Sequence, residues 1–266
     1  MKEKEVVIEI VDLHKSFGSR NILNGIDLEV YRGETFVIMG GSGCGKSTLL
    51  RHMIGNLKPD SGKVMLLGDE ITHHYGAQLD EVRKKIGMSF QSSALFDSMT
   101  VGENVNLPLK EHTKLEKSVI DIMVTMKLEL VGLRGFENLM PSELSGGMKK
   151  RVGLARAIAM DPQIIFYDEP TAGLDPIVAS VVDKLIIDLS KKLAITSVVV
   201  THDMKSVMAI ADRIAMLYQG KVLEVGSPDE IRGSKNEMVQ QFINGRFDGP
   251  IKFFQQKDNY LESLTQ

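Results

Sequence analysis

A glycine-rich run, GGSGCGKST at 40–48, has the residue spacing that points most directly to a chemistry. It matches G-x-x-x-x-G-K-[ST], in which successive backbone N–H groups curl around a phosphate just before a helix begins. In that pattern Lys46 reaches the terminal phosphates and the Ser47 hydroxyl binds Mg²⁺. The alternative is a glycine-rich turn without a ligand. We predict a nucleotide-binding loop whose members are Gly40, Gly41, Ser42, Gly43, Cys44, Gly45, Lys46, Ser47 and Thr48.

Two acids end an apolar run, IIFYDEP at 164–170, whose Ile-rich composition is typical of a buried strand. An acid in that position is costly unless a cation meets it. We expect Asp168 to hold Mg²⁺, as a strand-terminal aspartate does in phosphate-loop enzymes. Glu169 is the candidate for orienting or deprotonating an attacking water. The alternative is that Asp-Glu-Pro only begins a helix, with Pro170 in its first turn.

A third run, ELSGGMKKR at 143–151, places Ser-Gly-Gly at the predicted start of a helix. Three cations follow: Lys149, Lys150 and Arg151. Bases in a first turn oppose the helix dipole, which prefers acids there. The pattern therefore predicts that an anion binds at this helix end. A simple cap by Ser145 is the alternative, although it explains neither the two glycines nor the cations.

Composition excludes several classes of protein. The chain has 266 residues, 43% of them hydrophobic, which is ordinary for a globular protein with a substantial core. The net charge of −3 gives no electrostatic reason to expect a nucleic-acid partner. Cys44 is the single cysteine, so no internal disulfide can form. The charged start argues against a signal peptide, and no run approaches the roughly 18 apolar residues of a membrane span.

The order of apolar patterns predicts an α/β fold. Strand-like runs at 34–40, 164–170 and 197–203 alternate with helical patterns, whereas residues 95–159 have almost no strand signal and look like a helical insert. Asn24-Gly25 predicts a turn between two strand pieces, and Gln219-Gly220 predicts the tip of a hairpin.

Taken in order, the motifs resemble those of ABC transporter ATPases. The resemblance rests on GGSGCGKST, Gln91 after a strand, LSGGM, IIFYDEP, AGLD and His202 after another strand. It implies a phosphate-loop NTPase core of the RecA-like type with a mixed sheet, an N-terminal β-subdomain and an inserted helical subdomain. The implied boundaries are 1–92 with 160–235 for the core, 93–159 for the helical subdomain with LSGGM, and 236–266 for a C-terminal extension.

The same resemblance assigns roles to further residues. Two copies would pair head to tail and hold ATP between the phosphate loop of one and the LSGG run of the other, with Asp175 at the seam. Ser145, Gly146 and Gly147 would bind the γ-phosphate. The remaining implied roles are adenine stacking for Phe17, contact with Mg²⁺ or water for Gln91, and a hydrogen bond to the γ-phosphate for His202. The implied catalytic set is then Glu169, His202 and Gln91, and the metal set is Ser47, Gln91 and Asp168.

One departure from the common family pattern is Met148, where most members have glutamine after LSGG. That departure and the stretch FINGRFDGPIKF at 242–253 resemble the ATPases of MCE-type lipid transporters, the Mla system. This branch implies phospholipid transport between the inner and outer membranes. The implied partners are a second copy, a membrane permease docked near Gln91 and residues 95–110, and an MCE-type lipid-binding protein. The chain would then lie peripherally on the cytoplasmic side of the inner membrane.

Three alternatives to that branch stay open: the ATPase of another ABC importer or exporter, a soluble ABC ATPase outside transport, and a phosphate-loop kinase, which would leave LSGGM unexplained.

Residues 241–266 are a separate question, because they are rich in aromatics. This tail either packs on its own domain or crosses to the paired copy. The aromatics concerned are Phe242, Phe247, Phe253, Phe254 and Tyr260.

Overall fold

The computed structural model describes residues 4–251, which form two β-sheets and a set of helices. The strands are β1 (Val6–Phe17), β2 (Arg20–Tyr31), β3 (Thr35–Met39), β4 (Ser61–Leu66), β5 (Asp69–Glu70), β6 (Ile86–Ser89), β7 (Ile164–Asp168), β8 (Thr196–Val200), β9 (Arg213–Tyr218) and β10 (Lys221–Gly226). The α-helices are α1 (Lys46–Met53), α2 (Ala77–Arg83), α3 (Val101–His112), α4 (Lys117–Leu130), α5 (Gly146–Ala157), α6 (Pro176–Leu193), α7 (Met204–Ile210), α8 (Pro228–Arg232) and α9 (Glu237–Ile243). A short 3₁₀ helix covers Pro141–Glu143.

The larger sheet is mixed and has the strand order β10-β9-β3-β8-β7-β6. All neighbours from β9 to β6 are parallel, and β10 alone pairs antiparallel to β9. Strands β3 and β8 are buried along their whole length, which explains their near-continuous apolar sequences. Because parallel strands end at the same sheet edge, the loops after β3, β6, β7 and β8 are gathered there.

Side chains alternate across this sheet and build two separate apolar clusters. On β3, Val37 and Met39 face the cluster that includes helices α3 to α7. Phe36 and Ile38 face the opposite cluster, which includes α1 and the smaller sheet. This division follows directly from the two-residue period of a strand.

The smaller sheet is antiparallel, in the order β2-β1-β4-β5. Here the prediction of a turn at Asn24-Gly25 was wrong, because β2 continues through both residues. The register against β1 shifts between Leu13 and His14, and Gly25 has φ +71. The glycine therefore accommodates a β-bulge inside a paired strand instead of reversing the chain.

The predicted hairpin at Gln219-Gly220 is confirmed. Both residues have positive φ, +46 and +74, as a type I′ turn requires. The hairpin tip also links two other parts of the molecule. Gly220 donates its N–H to the Cys44 carbonyl (3.2 Å) and accepts a hydrogen bond from the Asn24 N–H (2.8 Å). A side chain at Gly220 would overlap the Ile22 carbonyl, so the close approach requires glycine.

The predicted absence of strands between 95 and 159 agrees with the structure, in which α3, α4 and α5 occupy this stretch. Their apolar faces meet in one cluster through residues such as Val105, Leu109, Val124, Leu128 and Leu154. Of the helices within 4–251, none is both long and apolar enough to cross a bilayer.

The last described residues fold back on their own domain. Gln241 is buried, accepts a hydrogen bond from the Ile251 N–H (2.7 Å) and donates one to the Ile251 carbonyl (3.0 Å). Phe242 packs against the apolar cluster that includes helices α3 to α7. Phe247 is 81% exposed. The tail aromatics Phe253, Phe254 and Tyr260, and with them the question of a crossing to a second copy, lie outside the described residues.

Candidate nucleotide-binding site

The phosphate loop has a backbone that only glycine accommodates at certain positions. Gly40 (φ +151) directly follows β3, and a side chain there would overlap the Leu217 carbonyl of β9. At Gly45 (φ +110) a Cβ atom would lie 2.8 Å from a Leu23 methyl. Since these glycines need both an unusual φ and the absence of a side chain, the loop is held tightly between β9 and β2.

The loop leads into α1, whose first turn contains Lys46 and has no acid. Lys46 is buried, and its Nζ donates to the carbonyls of Gly40 (2.8 Å) and Gly41 (3.0 Å). The ammonium therefore lies inside the loop curl. With the unpaired N–H groups of the helix start, it creates a site for an anion. Burial raises the pKa of the Cys44 thiol, which keeps it protonated and disfavours a redox role.

The two groups that should bind Mg²⁺ lie next to each other. Asp168 ends β7, and its carboxylate accepts a hydrogen bond from the Ser47 hydroxyl (3.4 Å). Burial, and then the neighbouring Glu169, raise the pKa of Asp168. A hydroxyl and a desolvated carboxylate are oxygen ligands of the kind Mg²⁺ takes, so these residues fit the ion. In the described residues the Gln91 side chain makes no hydrogen bond to either, so two of the three predicted metal ligands are brought together.

Glu169 is the most constrained residue of the site. It is buried with φ +47, an unusual backbone conformation for a residue with a side chain. One carboxylate oxygen accepts from His202 Nδ1 (2.8 Å) and the other from the Thr201 hydroxyl (3.2 Å). The His202 side chain is 62% exposed, which leaves Nε2 free to meet a ligand. The structure thus pairs Glu169 and His202, the two residues predicted to act at the reacting phosphate.

Phe17 lies beside the phosphate loop, as its predicted stacking role requires. It is 52% exposed and helps to form a cleft of about 280 Å³. The cleft is lined by Phe17, Arg20, Ile22, Gly43, Gly45, Lys46, Ser47 and Thr48. Sequence reasoning missed Arg20, a cation that lines this cleft together with Phe17 and the loop. Nothing in its local pattern distinguishes it from a solvated arginine at the start of a strand.

The Ser-Gly-Gly run begins α5, as predicted. Ser145 caps the helix, its hydroxyl accepting from the Met148 N–H (3.3 Å). Gly147 is buried, and a Cβ there would lie 2.5 Å from a methyl of Val178 on α6. Packing within the chain therefore explains Gly147. Gly146 is exposed, and a Cβ added there would make only an ordinary van der Waals contact. Packing therefore does not explain why this residue is glycine. None of Ser145, Gly146 and Gly147 is among the residues that line the described cleft.

Two of the three cations after this run, Lys150 and Arg151, have partners within the chain and so give no indication of an anion. Lys150 is buried and donates to the carbonyls of Gln91 (2.6 Å) and Glu169 (3.1 Å). Arg151 donates to the carbonyls of Val131 (3.2 Å) and Gly132 (3.3 Å). These partners come from distant parts of the chain, so no local pattern could have indicated them.

A buried polar cluster lies beneath the loop that carries His202. Asp203 caps α7, and the Ser206 hydroxyl donates to Asp183 of α6 (2.8 Å). Thr171, two residues after Glu169, lies 3.4 Å from the same hydroxyl. The second Asp183 oxygen is buried and has no hydrogen-bond partner among residues 4–251. Burial therefore raises the pKa of Asp183.

The profile of the ABC transporter family matches residues 23–172, from β2 past the acid pair. The chain belongs to the ABC transporter family. It is an ATP-binding ATPase that works in a transporter, as the motifs predicted. The α/β phosphate-loop fold is also confirmed by solved cassettes.

Close relatives place this ABC ATPase in the predicted branch. It is 43% identical over 98% of both chains to the intermembrane phospholipid transport system ATP-binding protein MlaF of Haemophilus influenzae. Identity to the Escherichia coli K12 protein of that name is 44%, over 97% of this chain and 96% of the relative. The predicted resemblance to Mla ATPases is therefore confirmed.

Two solved structures show the same fold. CbiO1 from Clostridium perfringens, part of an ABC transporter complex, has a TM-score of 0.80 at 32% identity over 92% of this chain and 96% of that one. The cassette MJ0796, in a dimeric post-hydrolysis state with ADP and Pi, has a TM-score of 0.77 at 31% identity over 83% and 98%.

Proposed function

We propose that this ABC ATPase hydrolyses ATP to drive phospholipid transport between the inner and outer membranes. The observation that carries the proposal is the identity to MlaF, 43% over 98% of both chains. A match of that extent includes the helical region and the C-terminal part as well as the nucleotide core.

The site geometry supports a division of roles in hydrolysis. The loop N–H groups and Lys46 hold the terminal phosphates, and Ser47 and Asp168 hold Mg²⁺, with Gln91 reaching the ion or the water. When bound, Mg²⁺ neutralises charge that develops on the phosphates. Glu169 accepts the proton of the attacking water. His202 keeps that carboxylate oriented through Nδ1 and presents Nε2 to the γ-phosphate.

A second copy of the chain completes each site in this proposal. Ser145 and Gly146 are exposed at the start of α5 and lie outside the cleft of their own chain. This exposure leaves them available to a γ-phosphate held by the paired copy, which they would bind together with the N–H of Gly147. The dimeric state of the related MJ0796 cassette with ADP and Pi supports this arrangement.

The other partners follow from the same branch. A membrane permease would dock beside Gln91 and residues 95–110, where Phe90 and Phe96 are exposed next to the loop that follows β6. Exposed aromatics of this kind are enriched where proteins meet. An MCE-type lipid-binding protein would belong to the same complex. The ATPase would then be peripheral on the cytoplasmic side of the inner membrane.

Purification from native membranes in mild detergent tests this function. We expect a membrane permease, an MCE-type protein and bound phospholipid to accompany the chain, and ATP hydrolysis by the complex to respond to added phospholipid. Glu169→Gln is the control, because it should preserve the complex but not the turnover. Recovery with a permease and a binding protein for another cargo would reject lipid transport. Recovery without any membrane subunit would favour a soluble ABC ATPase.

A further inference from the structure

Lys150 connects three functional segments through one buried ammonium group. It lies on α5, three residues after Gly147 of the Ser-Gly-Gly run, and its Nζ donates to the carbonyls of Gln91 and Glu169 at 2.6 and 3.1 Å. These carbonyls belong to the loops that follow β6 and β7. A lysine Nζ carries three N–H donors, so one side chain can bind both loops at once.

Glu169 depends on such contacts because its backbone conformation is unusual. Its N–H donates to the Val200 carbonyl (2.8 Å), and its carbonyl accepts from Ala172 N–H (3.2 Å) as well as from Lys150. Its side chain is fixed by Thr201 and His202. A residue with φ +47 keeps this conformation only when its surroundings determine it. Of these contacts, the Lys150 bond is the one contributed by α5.

The segment after Gln91 is anchored to the same helix a second time. Arg156 donates to the carbonyls of Ser93 and Ala94, both at 2.7 Å. Ser93 and Ala94 also have positive φ, +62 and +45. Gly153 lies between the two cations on α5, where an added Cβ would be 3.5 Å from Ser93. The helix thus holds residues 91–94 at both ends, and only Lys150 extends the contact to Glu169.

We propose that Lys150 is a positioning residue for ATP hydrolysis. It fixes the backbone of Glu169 and Gln91 to α5, the helix that begins at the Ser-Gly-Gly run. This inference rests on the roles proposed above for Glu169 and Gln91. A movement of α5 is then transmitted to both loops together. Because catalysis is sensitive to displacements of about 1 Å, loss of the ammonium should slow the chemical step by about 10- to 100-fold. Lys150 does not line the cleft, so ATP binding should be retained.

The test compares full-length variants in the native complex. Lys150→Met removes the donors at similar length, and Lys150→Arg keeps a cationic donor. Lys184→Met is the matched control, because this lysine of α6 is 75% exposed and its loss removes the same charge. We expect kcat to fall for Lys150→Met with KM for ATP within about twofold of wild type, and to recover in large part for Lys150→Arg. Lys184→Met should match wild type.

A double-mutant cycle with Glu169→Gln separates positioning from general structural damage. If Lys150 acts through Glu169, adding Lys150→Met to Glu169→Gln should change the residual rate by less than about threefold. An equal fold-loss in both backgrounds would overturn the proposal. So would wild-type kcat in Lys150→Met, or a loss that only follows the folded fraction in a thermal melt. If Lys150→Met does not fold, Lys150→Leu, which also has no donor, replaces it under the same criteria.

The cycle also distinguishes this proposal from the one it rests on. Normal turnover by Glu169→Gln would remove Glu169 from the hydrolytic step and overturn both. An inactive Glu169→Gln beside a fully active Lys150→Met would overturn the positioning role alone and leave the assigned role of Glu169 intact.

Discussion

Replacing Gly147 by alanine should destabilise the chain, whereas the same change at Gly146 should not. Both positions lie in the first turn of α5, where alanine is the better helix former by up to about 1 kcal/mol. The Cβ of Gly146→Ala would be 3.8 Å from a Leu174 methyl, an ordinary contact. That of Gly147→Ala would be 2.5 Å from a Val178 methyl, about 1 Å too close for carbon atoms.

Val178 cannot rotate away at low cost, because a β-branched residue in a helix has one strongly preferred rotamer. Overpacking of this kind costs about 1–3 kcal/mol. The two variants should therefore differ by about 2 kcal/mol, which is about 4–8 °C in melting temperature for a chain of this size. Thermal and denaturant unfolding of the purified chain measure this difference.

Val178→Ala provides the internal control, because it removes the methyl that the new Cβ meets. In a double-mutant cycle, Gly147→Ala should cost less in the Val178→Ala background than in wild type. If Gly147→Ala is as stable as Gly146→Ala, or if the two changes at 147 and 178 are additive, steric exclusion by α6 is not the reason for this glycine.

Further predictions concern the reacting groups and the buried cluster. Glu169→Gln should bind ATP but turn over about 10²- to 10⁴-fold more slowly in a steady-state assay, and near-normal turnover would contradict its role as base. Ser145→Arg should abolish hydrolysis yet leave ATP binding to one chain intact, and mixing it with Lys46→Ala chains should restore some activity; lost binding would contradict the shared site. Asp183→Asn should raise the melting temperature more at pH 8 than at pH 4.5. Because burial raises the pKa of Asp183, its contribution to stability is complete below the unfolded value near 3.9 and is lost progressively as the pH rises through the folded pKa, whereas asparagine does not titrate. A pH-independent difference would show that another property of Asp183 dominates.

The parts of the site that could be predicted depend on local chemistry. A phosphate loop needs glycines at fixed spacing, and the strand-terminal acids follow short apolar runs, so each is visible within about ten residues of sequence. Because parallel strands end at one edge, the arrangement of β3, β7 and β8 explains why Lys46, Glu169 and His202 lie at the same edge of the sheet.

The parts that could not be predicted depend on distant partners. Lys150 was one of the cations from which we predicted a bound anion, because nothing near it in sequence shows that the carbonyls of Gln91 and Glu169 lie within hydrogen-bonding distance. At Gly147, nothing nearby in the sequence shows that α6 packs against this position and leaves no room for a side chain. Asn24-Gly25 has the composition of a turn, and only pairing with β1 shows that Gly25 lies in a bulge.

The hairpin tip at Gly220 has a consequence for how this site tolerates sequence change. It joins the phosphate loop, through Cys44, to strand β2, through Asn24, and both links are hydrogen bonds between backbone atoms. Main-chain hydrogen bonds therefore help to set the separation between the phosphate loop and strand β2. Neighbouring side chains can be exchanged over evolutionary time without altering that separation, provided that position 220 keeps a glycine.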